Sequence, residues 1–586
     1  MICRRNLTNA AALTITCFVL GACDQSEASS SSIEKAQIEL TNGNAFSAKF
    51  YLDRALEEGQ PRRDLAIFFA EAALIDGDLE TARDWLEQEE FPYDMQADRL
   101  QLLGRLEMME GDLRGAARAF DRSYQIDPEN AALWVDIGYL RYRGGEQIEA
   151  IEAVDHALEI DPTSGAAWLF RGQLARDAQG AETGARIFRK ALARQPANTA
   201  LRVEYAATLG DAGRAKEALQ VLRAGEGRAA STPKGLFLQS VIAARGGNIR
   251  LARDLFVRSE GPQKSSPAAQ LLSAIIDLEE GNYASAAQTL DRLSAVQPDN
   301  RRVRDLLAYA LSRSGGELEL VRRFAGSAAG SDGSAYLRAL VGRSYETLGE
   351  RELAAVFLDL ASIDQSDLSV LAGARSVDVL AGSGPMDGLE TRDYVRNAIA
   401  RDETTASVGR ARGFARRFPG SADAFAILGD AELAEGNRRA ARAAYERSAR
   451  IRRSWPLTLR LVRAQDSSTD ARRLLETFVQ GDPMNGEAAA RLADAAAAKG
   501  DWAKAVLLLD HAMELGMGQV PWVLAARSIA ARQLDDPDTA LQFALAAHEL
   551  QPMSPLAISA LIAALPADEA ETREELETKL ESLTQG

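Results

Sequence analysis

A series of glycines spaced 34 residues apart is the feature that most constrains this fold. The spacing runs from Gly43 to Gly349, and its one exception is Gln179, which Gly180 follows directly. A glycine in a tight turn adopts positive φ without strain, which suits the link between two helices. The spacing therefore predicts ten helical hairpins, which begin at residues 29, 63, 97, 131, 165, 199, 233, 267, 301 and 335.

A second series of small residues supports the same register. Two helices can cross closely only where side chains are small, as at Gly138 on the first helix of one hairpin and Ala150 on the second. The bulky Leu320 departs from this pattern, so we expect disturbed packing in the hairpin that begins at 301. The position equivalent to Ala150 reads, in order, Ala48, Ala82, Ala116, Ala150, Gly184, Ala218, Ala252, Ala286, Leu320 and Ala354.

The hairpin 131–164 also carries the landmarks of a known family. Trp134, Gly138, Ala150 and Pro162 stand where the pattern W-x2-L-G-x2-Y, A-x3-F, P has its fixed residues. The sequence after residue 29 thus resembles the tetratricopeptide repeat (TPR). The resemblance implies an all-α superhelix, because one such hairpin cannot bury its apolar face alone and must stack on similar neighbours. Over the whole chain we expect about 14–15 such helix–turn–helix repeats.

The phase of the repeat divides the chain. We predict a regular array over 33–368 and an irregular break or hinge at 369–387, where Gly382, Gly384 and Pro385 interrupt the pattern. A second, less regular array follows over 388–554. Residues 555–586, rich in glutamate, are predicted to form a capping helix and tail, which an open-ended array requires.

The first 32 residues resemble a bacterial lipoprotein leader. Arg4 and Arg5 precede a short apolar run, and the signal peptide 1–22 ends just before Cys23 in the sequence Leu-Gly-Ala-Cys. The resemblance implies that Cys23 is lipidated, with 23–32 as a flexible tether and the protein on the periplasmic side of the membrane. Asp24 favours the inner membrane over the outer one. The alternatives are an ordinary cleaved signal or an uncleaved anchor.

Composition excludes several other classes. A formal net charge of −17 argues against nucleic-acid binding, which needs a basic footprint. All three cysteines lie within the first 23 residues, so disulfides do not hold the body together. We find no nucleophile elbow, phosphate loop or metal-ligand spacing. The three histidines do not have a metal-ligand spacing either. The sequence therefore predicts no enzyme, no metal site and no cofactor.

In TPR proteins the first helices line a concave groove with their second, fifth, ninth, twelfth and thirteenth positions. Carried over position by position, this resemblance predicts groove residues of the aromatic, Arg and Gln types that suit interface anchors, although packing or solvation is the alternative. The candidates are Gln101, Arg105, Tyr139, Tyr142, Arg143, Gln173, Arg176, Phe237, Tyr309, Arg313, Tyr336 and Arg343.

A second candidate surface is an arginine-dense stretch in an otherwise acidic protein. It would suit anionic lipid, an acidic polysaccharide or an acidic protein face, whereas a solvated helix surface is the plainer interpretation. Its candidate residues are Arg410, Arg412, Arg416, Arg417, Arg438, Arg439 and Arg442.

The sequence therefore predicts a lipid-anchored, non-enzymatic scaffold that binds other envelope proteins. By length, leader and repeats the chain is similar to large TPR lipoproteins of exopolysaccharide export and PEP-CTERM protein sorting, a likeness of architecture. The competing hypothesis is a periplasmic binding module that holds extended peptides or acidic polysaccharide directly.

Overall fold

The computed structural model describes residues 31–41, 43–88, 91–225, 227–259, 266–298, 300–330, 333–362 and 388–584. Within these ranges every regular element is a helix. The predicted all-α superhelical repeat fold is thereby confirmed. The predicted signal peptide, Cys23, most of the predicted tether and the predicted break at 369–387 lie outside the described residues.

The helices up to the predicted break are numbered α1 to α21 in chain order. They pair into hairpins at the ten predicted positions, with the four-residue α13 as an extra turn. Their bounds are α1 Ser32–Thr41, α2 Ala45–Glu57, α3 Arg62–Asp76, α4 Leu79–Gln88, α5 Gln96–Glu110, α6 Leu113–Ile126, α7 Ala131–Arg143, α8 Gln147–Ile160, α9 Gly165–Gln179, α10 Ala181–Arg194, α11 Thr199–Asp211, α12 Ala215–Arg223, α13 Arg228–Ser231, α14 Pro233–Arg245, α15 Ile249–Arg258, α16 Pro267–Glu279, α17 Tyr283–Val296, α18 Arg301–Arg313, α19 Glu317–Ala329, α20 Ala335–Thr347 and α21 Arg351–Ser362.

The described helices after the break are α22 to α33, and they also pair in order. A 3₁₀ turn at Tyr93–Met95 precedes α5, and a π turn at Met513–Met517 follows α29. The bounds are α22 Gly388–Ala400, α23 Thr404–Arg417, α24 Ala422–Ala434, α25 Arg438–Ile451, α26 Trp455–Arg463, α27 Ser468–Gly481, α28 Gly486–Ala497, α29 Trp502–Ala512, α30 Pro521–Gln533, α31 Pro537–Leu550, α32 Pro555–Ala564 and α33 Ala570–Thr584.

The chain divides into two compact units, of which the first ends at Pro92 and the second begins at Tyr93. The division falls inside the predicted regular array 33–368. The first unit holds α1 to α4 and is centred on Leu52, Leu65 and a stacked pair of rings, Phe69 and Trp85, whose centroids are 4.6 Å apart. The second unit holds α5 to α33 and contains the candidate site.

The turn glycines have the conformation that the 34-residue spacing predicts. Nine of them lie in the left-handed region, with φ between +72° at Gly43 and +91° at Gly111. At the one exception, Gln179 stays in the helix and Gly180 takes over with φ of +93°. The register therefore passes through this hairpin without a shift, and the turn moves by one residue.

The small residues in the first helices make room for a ring sixteen positions later. A Cβ on Gly104 would lie 2.4 Å from the ring of Phe120, and a Cβ on Gly172 would lie 2.5 Å from that of Phe188. Contacts this short force neighbouring atoms to move, so glycine sets the distance between the two helices in the hairpins α5–α6 and α9–α10. The small residues of the second helices are buried as expected: Ala116, Ala150, Ala218, Ala252 and Ala286 are fully covered.

Leu320 does not disturb its hairpin, contrary to our expectation. Its side chain is fully buried among Leu307, Val321 and Phe324 in the core around α18 and α19. The first helix of this hairpin contributes Ala308 and Leu311 to the same core. The surrounding apolar side chains therefore accommodate the larger Leu320 without a small residue at that position.

Seven first helices, from α7 to α20, share an N-cap that also follows the 34-residue interval. The side chain of Asn130 accepts hydrogen bonds from the amides of Ala132 and Leu133, which are among the orphan donors at a helix start. This cap fixes where each first helix begins, and hence which residues face the groove. The equivalent capping residues are Asn130, Ser164, Asn198, Thr232, Ser266, Asn300 and Ser334.

The C-terminal segment forms two helices, α32 and α33, where the sequence suggests one capping helix. Leu576 of α33 is buried against Ile558 and Leu561 of α32, so α33 covers the apolar end of the array. None of the described helices combines the length and the hydrophobicity needed to cross a bilayer.

Candidate functional site

The second unit contains two arrays that touch each other: the first array, α5 to α21, and the second array, α22 to α33. The backbone amide of Arg453 donates to the carbonyl of Ala178 at 3.0 Å. The amide of Ala181 donates to the Asp482 carboxylate at 3.1 Å. Farther along, the amide of Ala422 donates to the side-chain oxygen of Gln147 at 3.0 Å. These bonds place the start of α26 and the end of α27 against the turns of the first array.

Two turn glycines allow this close approach. A Cβ on Gly180 would lie 2.7 Å from the carbonyl oxygen of Gly481, so the two backbones touch with no side chain between them. A Cβ on Gly213 would lie 2.7 Å from the sulfur of Met484. The arrays therefore meet at main-chain distance.

A cavity of about 560 Å³ lies beside this contact, between the two arrays. Its volume falls within the range of roughly 300–1,000 Å³ that ligand sites in proteins occupy. The first array contributes Tyr139, Tyr142, Phe170, Gln173, Leu174, Arg176, Asp177, Ala181 and Asp211, and the second contributes Arg452, Arg453, Ser454, Trp455 and Asp482.

The aromatic part of the cavity is built by neighbouring hairpins. The Tyr139 and Phe170 rings stack with centroids 3.8 Å apart, because Gly138 leaves the space that Phe170 fills. The Tyr139 hydroxyl donates to Gln173 at 3.3 Å. Burial, together with the charge of Asp136, raises the pKa of Tyr139 to about 12, so this phenol is neutral at physiological pH. The floor is thus rigid and apolar with one polar edge.

The charged part of the cavity holds three arginines and three aspartates, so the lining carries no net charge. Arg452 Nε lies 3.7 Å from Asp177 Oδ2, and that carboxylate also accepts a 2.6 Å bond from the Tyr142 hydroxyl. Arg176 lies 3.8 Å from Asp211. The ion pair between Arg452 and Asp177 therefore joins one array to the other.

Two of the aspartates are costly to bury in the charged form. Desolvation raises the pKa of Asp211 above its ordinary value, and the nearby Arg176 and Arg245 oppose that change only in part. Desolvation likewise raises the pKa of Asp482, against the hydrogen bond from Ala181. The Asp211 side chain is nonetheless half exposed, and it has Arg176 at 3.8 Å and Arg245 at 3.9 Å.

Arg453 has a buried hydrogen-bond donor, whereas the aspartates are acceptors. Its Nε is buried and has no hydrogen-bond partner within the described part of the chain, although its backbone amide is bonded to Ala178. A buried donor without an acceptor costs roughly 1–3 kcal/mol.

Four of the predicted groove residues line this cavity: Tyr139, Tyr142, Gln173 and Arg176. Arg143 lies on the same helix but does not, because its guanidinium donates to the carbonyl of Met108 at 2.6 Å and joins α7 to α5.

Gln101 and Arg105 also hold neighbouring hairpins together. The Gln101 amide donates to the buried Asp136 carboxylate at 2.6 Å, and Arg105 lies 3.6 Å from the same carboxylate. Both contacts join α5 to α7.

The remaining predicted groove residues lie elsewhere along the first array. Phe237 packs against Ala252 and Leu272 in the core. Arg313 lies over the Tyr283 ring, which meets Tyr309 edge to face. Tyr336 is half exposed, and Arg343 is paired with Glu346 at 2.7 Å. None of these residues lines the cavity.

The sequence could have revealed two lining residues that we did not select. Asp177 and Asp211 occupy the thirteenth position of their hairpins, which the family pattern places in the groove, but aspartate is not one of the residue types that commonly anchor interfaces. Arg452, Arg453, Trp455 and Asp482 are different, because their role depends on how the second array sits on the first. No local pattern signals that.

Two of the seven arginines predicted to form a basic surface are paired within the second array. Arg412 pairs with Glu432 at 2.6 Å and Arg442 with Asp466 at 2.9 Å. Arg410 lies over the Tyr394 ring, with 5.1 Å between the guanidinium carbon and the ring centroid. The solvent-exposed members are Arg412, Arg416, Arg417, Arg438 and Arg439.

Within the described residues, no group of three or more His, Cys, Asp or Glu side chains is arranged to hold a metal ion. Two of the three histidines, His156 and His511, make packing or polar contacts. The His156 ring meets Trp134 edge to face at 4.4 Å, and a His511 nitrogen lies 2.9 Å from the carbonyl of Pro483.

Family models described as tetratricopeptide repeat match residues 107–174 and 459–519. No curated protein matches the chain. The chain is similar to the APC/C hetero-tetramer Cut9–Hcn1 at 15% identity, over 91% of this chain and 95% of that one, with a TM-score of 0.26. It is similar to the human IFIT1 dimer with m7Gppp-AAAA at 14% identity, over 72% of this chain and 98% of that one, with a TM-score of 0.37. A tetratricopeptide repeat protein from Parabacteroides merdae matches at 18% identity, over 46% of this chain and 92% of that one, with a TM-score of 0.23.

Because these TM-scores lie below 0.5, the likenesses do not say how the repeats are arranged here or what they bind. The fold and the two matched segments define the class: an all-α repeat protein that contains tetratricopeptide repeats. Each matched segment contributes to the cavity, the first through Tyr139, Tyr142 and Gln173, and the second through Asp482.

Proposed function

We propose that this chain is a non-enzymatic interaction scaffold that holds a protein partner at the cavity between its two arrays. TPR proteins generally act as scaffolds for protein interactions. The observation that carries the proposal is the cavity lining, which brings Tyr142, Trp455 and Arg453 together within one concave site. Tyr, Trp and Arg are the residue types that dominate binding energy at protein interfaces.

The charges of the lining favour a protein partner over an acidic polysaccharide. A polyanion in the cavity would approach three carboxylates as well as three arginines, and two of those arginines, Arg176 and Arg452, already lie within 4 Å of an aspartate. A protein segment can present both signs of charge, together with an apolar side chain for the partly exposed rings of Tyr139 and Trp455. The direct-binding alternative is therefore less well supported for polysaccharide than for peptide.

We further propose that the scaffold is anchored by lipid at Cys23, faces the periplasm from the inner membrane, and supports an envelope assembly such as exopolysaccharide export or protein sorting. The support for the anchor is the Leu-Gly-Ala-Cys sequence after a short apolar run. Two or more acyl chains on one residue give stable membrane attachment. The support for the assembly is the resemblance to large TPR lipoproteins.

Mild crosslinking in the native cell followed by recovery of the full chain tests this function. A reproducible set of membrane-machinery proteins is the expected result. Recovery of glycan, or of heterogeneous peptides with no reproducible set, would contradict the scaffold and support direct binding.

A further inference from the structure

The first hairpin, α1 and α2, exposes two phenylalanines on its outer surface. Phe46 and Phe50 lie one turn apart on α2, so they share one face of the helix, and 84% and 60% of their surfaces are exposed. The Phe50 ring meets Tyr51 edge to face, with the centroids 5.4 Å apart. We call Phe46 and Phe50 the phenylalanine patch.

The repeat itself does not require apolar residues at these two positions. The equivalent positions are exposed in the other nine hairpins, with Glu182 as the one partly buried case. Each of those hairpins has at least one polar residue there, and none has an aromatic residue. The second hairpin has Glu80 and Asp84, and the third has Arg114 and Arg118. The phenylalanine patch is therefore a feature of the first hairpin and not of the fold.

Another exposed apolar residue of the first hairpin has a plain structural cause. Ile38 is exposed because α1 is the first helix of the array, whereas its equivalents Ala72 and Ile276 are buried against the hairpin before them. The open end of the array does not explain the phenylalanine patch, because its two positions face solvent in hairpins inside the array as well. The patch therefore indicates a contact outside the repeat.

The distance to Cys23 limits where the first hairpin can lie. Ser31, the first described residue, follows Cys23 by eight residues. An extended chain spans roughly 3.3–3.6 Å per residue, so Ser31 lies within about 30 Å of Cys23. A lipid on Cys23 would keep α1 and α2 at the bilayer surface. Such a short link gives a second, weak contact with the same bilayer a high effective concentration.

The charges around the patch indicate how it meets the bilayer. Lys49, between the two rings, is paired with Asp76 at 2.7 Å, and Arg54 is also paired with a carboxylate. Asp53 and Glu57 are exposed farther along α2, so an anionic lipid surface does not attract this helix. The attraction therefore comes from the rings, which enter the boundary between headgroups and acyl chains as the apolar residues of interfacial helices do.

We infer that Phe46 and Phe50 form a second membrane contact, which inserts into the bilayer that holds the lipid on Cys23 and orients the first hairpin on it. This inference rests on the proposed lipid anchor and adds a protein–lipid contact to it. Even a single acyl chain gives only marginal, reversible attachment, and two rings contribute less. The patch thus orients the protein at the membrane, whereas the acyl chains keep it there.

Hydroxyl-radical footprinting of the full lipidated chain in vesicles measures the contact. The radicals oxidise exposed phenylalanine, peptide mass spectrometry reads Phe46 and Phe50 separately, and a soluble reference compound sets the radical dose. Both rings should be oxidised about fivefold more slowly on phosphatidylcholine vesicles than in Cys23→Ala, which lacks the anchor. Equal oxidation in the membrane-bound and released chains would overturn the inference.

Phe46→Ser tests whether the protection comes from insertion of the rings. Loss of one ring should bring the oxidation rate of Phe50 to within about twofold of its rate in the released chain. Leu318→Ser is the matched control, because Leu318 is exposed at the equivalent position of its own hairpin, and it should leave the protection of Phe50 unchanged. Neither substitution removes a buried side chain. Equal protection of Phe50 in both variants would contradict the contact.

Vesicle composition and protein concentration separate the other occupants. Protection should not change when phosphatidylglycerol is added, or at about 1 M salt, where the screening length is roughly 3 Å. Protection that requires phosphatidylglycerol and is lost in salt would overturn insertion of the rings. Protection of both rings in the released Cys23→Ala chain, increasing with protein concentration, would assign the patch to a second copy and overturn the lipid contact.

The contact and the scaffold fail separately. Unprotected rings in a membrane-bound chain would remove the contact and leave the anchor and the crosslinked partner set in place. Recovery of the parent chain in the soluble fraction would remove the anchor and the contact with it. Loss of the partner set with protected rings would remove the scaffold and leave the contact.

Discussion

Tyr445 donates a 2.8 Å hydrogen bond to Asp430, and both side chains are buried between α24 and α25. Arg460 Nε lies 3.1 Å from the same carboxylate. Desolvation raises the pKa of Asp430, and the charge of Arg460 and the Tyr445 hydroxyl offset that in part. This buried polar trio joins three consecutive helices of the second array.

We expect Asp430→Ala to destabilise the second array by about 3–5 kcal/mol, because it leaves a buried charge without its partner. Repeat arrays do not unfold in one step, so hydrogen exchange of the amides in α24 to α26 is the appropriate measurement. Glu159→Ala is the control: Glu159 is largely exposed, and its loss should change stability by less than about 0.5 kcal/mol. Equal exchange in both variants would contradict the role of the trio.

Gly172→Ala should destabilise the hairpin of α9 and α10 by about 1–3 kcal/mol, because the new methyl would overlap the Phe188 ring. Gly409→Ala should instead stabilise its helix by about 0.5–1 kcal/mol, since alanine loses less backbone entropy and nothing lies nearby. Denaturation midpoints of the two variants measure the contrast. If both were stabilised, glycine would not set the helix spacing.

The pH dependence of stability should report on Asp136. Desolvation raises its pKa, and Arg105 and Gln101 oppose this in part. A carboxyl whose pKa is higher in the folded than in the unfolded protein stabilises the fold most at low pH, where it is protonated. This contribution to the free energy of unfolding is lost as the pH rises through the folded-state pKa. Asp136→Asn should therefore be more stable than the parent at pH 7.

This advantage of Asp136→Asn should shrink as pH falls toward about 4, where the parent carboxyl becomes neutral as well. Thermal unfolding over this pH range measures the effect. Glu159→Gln, at an exposed carboxylate, is the matched control and should show little change. A constant difference between Asp136→Asn and the parent at all pH values would contradict the assignment.

Cys23→Ala should release the protein from membranes, because it removes the thiol that the proposed lipid anchor requires. Cys17→Ala, inside the apolar run of the leader, should leave membrane attachment unchanged. Fractionation with alkaline washing measures both variants. Retention of Cys23→Ala in the membrane fraction would contradict lipid anchoring.

Local structure could largely be predicted from the sequence, because it depends on contacts within one hairpin. The positive φ of Gly145 and the burial of Ala150 follow from their positions in the repeat. The N-caps such as Asn130 have the same period and could have been used to place the helix starts. Leu320 was predicted wrongly because a cluster of neighbours, not one crossing, accommodates it.

The candidate site could be predicted only in part. Tyr139, Tyr142, Gln173 and Arg176 follow from the family pattern, whereas the opposite wall depends on contacts between hairpins that are far apart in the chain. A one-residue shift of the turn to Gly180 is what permits the contact with Gly481. The pattern of a single hairpin contains no information about that neighbour.

The most direct test of the account is partner recovery with a single change in the second array. Arg453→Gln removes the buried Nε without breaking a described side-chain hydrogen bond and keeps the backbone bond to Ala178. Arg118→Gln, at a largely exposed arginine on α6, is the matched control. After crosslinking in the native cell, we expect Arg453→Gln to reduce the recovered partner by about tenfold and Arg118→Gln to leave it unchanged. Equal recovery from both variants would show that the partner does not bind between the two arrays.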